Sequence, residues 1–167
     1  RFTAICLAAL LVLGLSGCDT YDNFMKEFFI EEEGERVVKI GIYEPLSGPD
    51  AGSAQDEIAG IELAHELYDT VLGLKIELVY SDNKSDVKEG AAAAQSLIDQ
   101  GAVVVLGSYK STLSLAASDV FKENKIPAIG ITCTNPIITQ TNKYYSRVCF
   151  VDAVQGTYAA KSVIEHL

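Results

Sequence analysis

Beyond residue 36, the chain alternates between short apolar runs and longer runs in which apolar positions recur at helical spacing. Residues 37–45 (VVKIGIYEP) are rich in β-branched side chains and predict a strand. Residues 54–72 carry apolar side chains along one helical face and predict a helix that ends at Gly73. The patterned part of the chain therefore opens as a strand followed by a helix.

The same alternation continues to the end of the chain. It predicts strands over 74–80, 102–106, 127–131 and 145–150, and helices over 86–100, 111–124 and from about 155 to 167. The strand over 102–106 is wholly apolar, so we expect burial on both of its faces. Alternating strands and helices with short connections imply right-handed crossovers. The predicted fold is therefore α/β, a Rossmann-like parallel sheet with helices on both faces.

Sheets of this kind bind ligands in the loops that follow the carboxyl ends of their strands, here 44–55, 81–85, 107–111 and 132–136. Hydroxyl side chains are frequent there, and Ser111 is placed to act as the N-cap of the third helix, where free N–H groups face an anion. Thr132, Cys133 and Thr134 follow the fourth strand. Two such loops side by side predict a site for one small carboxylate, whereas ordinary capping and turn formation is the alternative. Lys110 either adds charge to that site or is simply an exposed lysine.

Common catalytic and cofactor-binding motifs are missing from the sequence. It contains no G-x-G-x-x-G, no G-x-x-x-x-G-K-[ST] and no G-x-S-x-G. Its two histidines, His65 and His166, lack the spacing of a metal site or of a Ser-His pair. We therefore expect no cofactor, no metal ion and no catalytic residues, and regard binding as the better hypothesis than catalysis.

The N-terminus has the parts of an export signal. An uncharged apolar run (FTAICLAALLVLGL) follows Arg1 and is followed at once by Ser16, Gly17 and Cys18. The LSGC ending resembles the bacterial lipobox, which implies a signal peptide over 1–17, diacylglycerol on Cys18 and a lipid anchor that holds the protein to the membrane outside the cytoplasm. A buried core helix is the alternative. The acidic segment 18–36 is then a tether between lipid and domain.

Charge and cysteine content narrow the partners and leave the redox state open. The formal net charge is −10 and no basic cluster is present, which argues against a nucleic-acid partner. Cys6 leaves with the signal, whereas Cys133 and Cys149 stay in an oxidising compartment. The sequence permits a disulfide between these two residues and equally permits two free thiols.

Three segments together resemble the periplasmic leucine/isoleucine/valine-binding proteins, the solute receptors of ATP-driven amino-acid importers. They are KIGIYEPLSGPDAG, PAIGITCTNPIIT and YSRVCFVDAVQGTYAAK, joined by the loop 107–111, and the resemblance covers roughly 37–167. The resemblance implies two hinged lobes that close on a ligand. Residues 37–149 would form the first lobe, and 150–167 the crossover and first helix of a second lobe that is otherwise missing from this chain.

The same resemblance implies roles for individual residues. Ser111, Thr132, Cys133 and Thr134 match the positions that hold the ligand's α-carboxylate. Ser53 falls near a pocket position where relatives that bind aliphatic side chains have an aromatic residue, which argues against a simple carry-over of leucine specificity. The implied function is delivery of an amino acid or similar small solute to an ABC permease. A sensory module of the same fold and an extracytoplasmic enzyme are the alternatives.

Overall fold

The computed structural model describes residues 30–32 and 35–166, with side chains from Arg36 to His166. The predicted signal peptide, Cys6 and the proposed lipid-bearing Cys18 lie outside the described residues. The described elements are, in order, β1 (Ile30–Glu32), β2 (Glu35–Glu44), α1 (Ala51–Leu67), β3 (Thr70–Val71), β4 (Leu74–Asp82), α2 (Val87–Asp99), β5 (Val104–Leu106), α3 (Ser111–Glu123), β6 (Ala128–Gly130), α4 (Ile137–Thr141), β7 (Tyr145–Arg147) and α5 (Asp152–His166). Within this part of the chain, no helix combines the length and apolar character needed to cross a membrane.

The chain divides into two units, residues 1–37 and 38–167. In the first unit, β1 pairs antiparallel with the start of β2, so that Ile30 lies opposite Val37. The segment 18–36, which the sequence predicts to be a tether, therefore includes a short strand and the first residues of β2.

The second unit is built on a sheet whose strand order is β3-β4-β2-β5-β6-β7. The pairs β2–β5, β5–β6 and β6–β7 are parallel, whereas β3 and β4 form an antiparallel hairpin. Helix α3 joins β5 to β6 and α4 joins β6 to β7, whereas the connection from β2 to β5 contains α1, the β3–β4 hairpin and α2. This confirms the predicted α/β fold with a parallel sheet.

Helices lie on both faces of this sheet. On one face, α2 and α3 cover a core that includes Tyr43, Val105 and Phe121, all fully buried. On the other face, α1 buries Ala54, Ile58 and Ile61. Leu106, at the end of β5, is only half-buried and lines an apolar groove beside α1. The expectation that this strand is buried on both faces is therefore wrong on the side of α1.

Several elements differ from the prediction in their bounds, and one helix is additional. Helix α1 ends at Leu67 rather than Leu72, because the β-branched pair Thr70–Val71 turns back through Gly73, at φ +78°, to pair with β4. The short helix α4 was not anticipated. Helix α5 begins at Asp152, three residues before the predicted start, and none of its described side chains is buried.

Candidate functional site

The loops after β2, β5 and β6 lie side by side because these strands are parallel neighbours and end at the same edge of the sheet. The loop after β4 joins them through Asn83, whose side-chain amide donates a 3.1 Å hydrogen bond to the Ser108 hydroxyl. We call this group of loops the carboxyl-end site. It contains the hydroxyl-bearing segments that the sequence singles out.

Ser111 is the first residue of α3, not its N-cap. The N-cap is Lys110, in an extended conformation (φ −115°, ψ 141°) and without a side-chain capping bond, so the predicted capping role of Ser111 is wrong. The Ser111 hydroxyl oxygen instead accepts the backbone N–H of Asn135 at 3.2 Å. Since the oxygen is the acceptor in this bond, the hydroxyl proton is left to be donated elsewhere.

Two further serines lie close to Ser111 in the sequence, Ser108 in the loop 107–111 and Ser114 in the first turn of α3. Both are fully buried. The N–H of Ser108 donates to the Ser114 hydroxyl at 3.4 Å. These two hydroxyls therefore hold the loop 107–111 against the core. Of the three serines, Ser111 is the one whose hydroxyl contacts the loop 132–136.

Arg147 fixes the loop 132–136 from behind. Its guanidinium donates to the carbonyl oxygens of Cys133 (3.0 Å), Asn135 (2.8 Å) and Pro136 (3.1 Å), and to the hydroxyl of Thr139 (2.8 Å). In a planar trans peptide the C=O and the next N–H point in opposite directions. The Thr134 N–H is therefore directed away from Arg147, and the Thr134 side chain is half-buried.

Thr132 is tied into the protein through its hydroxyl. Its Oγ1 lies 2.5 Å from Glu57 Oε1 and 2.8 Å from the carbonyl oxygen of Tyr109. Two protein acceptors thus compete for one hydroxyl proton. Towards a ligand, this oxygen has lone pairs to offer, so Thr132 is better suited to accept a hydrogen bond than to donate one to a carboxylate.

Cys133 is fully buried, so its backbone, and not its thiol, is what a ligand in the loop 132–136 would meet. Burial raises the pKa of this thiol. A Cβ atom placed on Gly130 would lie 1.9 Å from Cys133 Sγ, which shows how closely the loop folds over the end of β6. Cys149 is half-buried, and both cysteines are free thiols.

The two remaining sequence candidates are exposed residues at the starts of α1 and α3. The ammonium of Lys110 is 2.5 Å from Asp50 Oδ1, so its charge is offset by a neighbour on the loop after β2. Ser53 lies in the first turn of α1 and is exposed. Neither residue therefore adds a net positive charge to the site.

Asp82 orders the loop after β2 and was not recognised from the sequence. Its carboxylate accepts the N–H groups of Leu46 (2.9 Å), Ser47 (3.1 Å) and Lys84 (2.7 Å), and the Ser47 hydroxyl at 2.5 Å. Burial acts to raise the pKa of Asp82, but these hydrogen bonds outweigh it and lower the pKa overall. Asp82, the last residue of β4, thus anchors Leu46 and Ser47 in the loop after β2.

Within residues 36–166, no three His, Cys, Asp or Glu side chains are grouped as metal ligands would be. What the carboxyl-end site offers is a set of neutral donors: the Ser111 hydroxyl, the Thr134 N–H and hydroxyl, and the first N–H groups of α3. Such a set suits a small anionic group.

The sequence is similar to those of known proteins. The periplasmic binding protein family matches residues 37–167. Leu/Ile/Val-binding protein homolog 1 of Brucella abortus is 33% identical over 133 residues, which cover 77% of this chain and 36% of the relative.

Two solved structures are also similar. The leucine binding protein LivK of Thermotoga maritima has 40% sequence identity and a TM-score of 0.71, over 74% of this chain and 35% of that one. A solute binding protein of an ABC transporter from Rhodopseudomonas palustris, in complex with 3,4-dihydroxybenzoic acid, has 29% identity and a TM-score of 0.69, over 75% of this chain and 36% of that one. The chain thus spans little more than a third of the length of these relatives. With its matching sequence and fold, it belongs to the periplasmic binding protein family.

Proposed function

We propose that this chain supplies the first lobe of an extracytoplasmic solute receptor, which binds an amino acid or similar small carboxylate and delivers it to an ABC importer. Residues 37–149 form that lobe in the proposal, and 150–167 are the crossover and first helix of a second lobe. Helix α5 supports this division, because none of its described side chains is buried and Tyr158 and Ile164 are exposed. An apolar helix surface without a partner is expected where a further domain packs.

The observation that carries the proposal is the contact between Ser111 and the loop 132–136. The Ser111 oxygen accepts the N–H of Asn135, the residue after Thr134. The Ser111 hydroxyl proton and the Thr134 donors therefore lie on two loops that are in contact. The N-terminus of α3 adds a partial positive charge there. Neutral donors at a helix N-terminus can bind a carboxylate without a salt bridge. In this proposal Ser111 and Thr134 bind the carboxylate, Cys133 contributes backbone, and Thr132 accepts from the ligand.

The names of the relatives support a carboxylate as the shared feature of the ligand. One is a leucine binding protein and another is in complex with 3,4-dihydroxybenzoic acid. Leucine has an amino group and an aliphatic side chain, whereas dihydroxybenzoic acid has an aromatic ring and no amino group. Both carry a carboxylate. In the proposal Ser53 and Lys110, both exposed, contact the variable part of the ligand or line its path.

A titration of the full-length protein tests this function. We expect L-leucine or 3,4-dihydroxybenzoate to bind by calorimetry, and the matched amides, L-leucinamide and 3,4-dihydroxybenzamide, to bind at least tenfold more weakly, because a neutral amide is a poorer acceptor than a carboxylate. Equal affinity of an acid and its amide would contradict the proposed carboxylate site.

The membrane attachment is a separate part of the proposal. The signal 1–17 would be removed and Cys18 would carry diacylglycerol, with the protein held outside the cytoplasm. Metabolic labelling with radioactive palmitate tests it: we expect label on the wild type and none on the Cys18→Ser variant. Label that persists in this variant would contradict lipidation at Cys18.

A further inference from the structure

Two buried glutamates meet behind the carboxyl-end site. Glu44 is the last residue of β2 and is fully buried, and Glu57, on α1, is 8% exposed. Burial, and then the charge of Glu57, raises the pKa of Glu44 to about 9, and burial also raises the pKa of Glu57. Each carboxyl group acts on the pKa of the other. Two carboxylates in such a position cannot both be ionised at low cost.

Two oxygen atoms of the pair have no donor. They are Glu44 Oε1 and Glu57 Oε2, one from each carboxyl group, and both are buried. The ionisable group that acts on the pKa of Glu44 is Glu57, from α1. Burial, together with the charge of Glu44, raises the pKa values of Tyr43 and Tyr145 from the sheet. Among residues 36–166, no lysine or arginine forms an ion pair with either glutamate. A single proton placed between the carboxyl groups would satisfy both orphan atoms.

The outer oxygens of the pair hold the two ligand loops. Glu44 Oε2 accepts the backbone N–H of Tyr109 at 2.8 Å, on the loop before α3. Glu57 Oε1 accepts the hydroxyl of Thr132 at 2.5 Å, on the loop after β6. The pair therefore links the end of β2, helix α1 and both loops of the proposed carboxylate site.

The surrounding backbone is shaped to admit this pair. Gly107 has φ +111°, and a Cβ atom there would lie 2.5 Å from Glu44 Oε1 and 2.2 Å from the carbonyl oxygen of Tyr43. Only glycine combines this conformation with this close approach. The loop before α3 is thus built directly onto the Glu44 carboxyl group.

We propose that Glu44 and Glu57 share one proton and act as a positioning pair, which holds Tyr109 and Thr132, and with them the two ligand loops, for as long as that proton is retained. When the proton leaves, two buried negative charges face each other, and the contact between α1 and β2 weakens. The consequence for ligand affinity rests on the proposed function. The shared proton itself does not.

Denaturant unfolding of the full-length protein at a series of pH values tests the pair. A free glutamate in the unfolded chain has lost its proton above about pH 5, whereas the folded pair keeps one. Stability from this proton is therefore complete at low pH and falls as pH rises. Between pH 6 and 8 we expect the unfolding equilibrium constant of the wild type to rise by about tenfold per pH unit relative to the Glu44→Gln/Glu57→Gln variant, which has no proton to lose.

Glu66→Gln is the matched control, since Glu66 is an exposed residue of the same helix, and it should keep the slope of the wild type. Equal slopes for the wild type and the double variant would overturn the proposal. If the double variant does not fold, the δ-carboxyl ¹³C resonances of wild-type Glu44 and Glu57 decide: titration of both below pH 5 overturns the pair, and retention of one protonated carboxyl at pH 7 supports it. Absence of ligand binding at every pH would contradict the proposed function and leave this result unaffected.

Discussion

The hydroxyl oxygen of Ser111 accepts the backbone N–H of Asn135 at 3.2 Å, and this bond joins the two loops that follow β5 and β6. The bond fixes the direction of the Ser111 side chain and leaves its proton for another acceptor. It also places the Thr134 donors beside the start of α3. The geometry of the proposed carboxylate site therefore depends on one residue that acts as acceptor towards the protein and donor towards the ligand.

We expect the Ser111→Ala variant to bind ligand about 10- to 100-fold more weakly than the wild type, because a hydrogen bond to a charged group contributes about 1.5–3 kcal/mol. The measurement is calorimetry on the full-length protein with L-leucine or 3,4-dihydroxybenzoate, whichever binds. Ser146→Ala, at an exposed position of β7, is the control and should bind as the wild type does. An unchanged affinity for Ser111→Ala would remove this residue from the site.

The elements of the sheet could be predicted because each depends on a local pattern. Strand β5 and helix α2 follow from apolar runs and helical spacing. In the structure Asp86 is the N-cap of α2, and its carboxylate accepts the Lys88 N–H at 2.9 Å. Helix α1 was extended too far, since apolar spacing continues through Val71, where the hairpin with β4 takes over. Pairing between strands overrode a local helical signal there.

The contacts that shape the site could not be predicted in the same way. The sequence indicates Ser111 because a hydroxyl residue between a strand and a helix can cap the helix or bind a ligand. Its partner in the structure, Asn135, is 24 residues away. In the sequence, nothing distinguishes Glu44 and Glu57 from other glutamates of a strand or a helix. Only the packing of α1 over the end of β2 buries both carboxyl groups together, and no local pattern reports that contact.

We expect the Arg147→Lys variant to lose about 2–4 kcal/mol of stability. A lysine ammonium keeps the charge but cannot reach the four oxygens that the planar guanidinium joins, so buried carbonyl groups lose their donors. Denaturant unfolding measures the change, with Arg36→Lys as the control at an exposed position. Equal stability of Arg147→Lys and the wild type would show that the loop 132–136 does not depend on this side chain.

Asp82 should make the loop after β2 sensitive to acid. Its pKa is lowered in the folded protein, so the folded state binds this proton less readily than the unfolded chain does. The stability that it contributes is present above about pH 4 and is lost as the pH falls further, through the folded pKa.

The Asp82→Asn variant should therefore be about 1–2 kcal/mol less stable than the wild type at pH 6, and the difference should shrink towards pH 2. Unfolding of both proteins across this range measures it. Asp119→Asn, on the exposed side of α3, is the control and should differ little in stability from the wild type. A constant difference for Asp82→Asn would mean that the pKa of Asp82 is not lowered by the fold.

The close approach of Cys133 to β6 gives a prediction that involves stability alone. In the Gly130→Ala variant the added methyl group would lie 1.9 Å from Cys133 Sγ, so the loop must shift, at a cost of about 1–3 kcal/mol. Removing the sulfur as well relieves the clash, because the next atoms, Cys133 Cβ and Tyr145 Cε1, are each 3.5 Å from the new methyl group.

A double-mutant cycle measures this relation. We expect Gly130→Ala/Cys133→Ala to be at least about 1 kcal/mol more stable than the sum of the two single changes allows, since the second change removes the atom with which the first collides. Gly60→Ala, on α1 with no atom within 4 Å of the added methyl group, should instead stabilise the protein by up to about 1 kcal/mol. Additive effects of Gly130→Ala and Cys133→Ala would show that the loop 132–136 does not pack its thiol against β6.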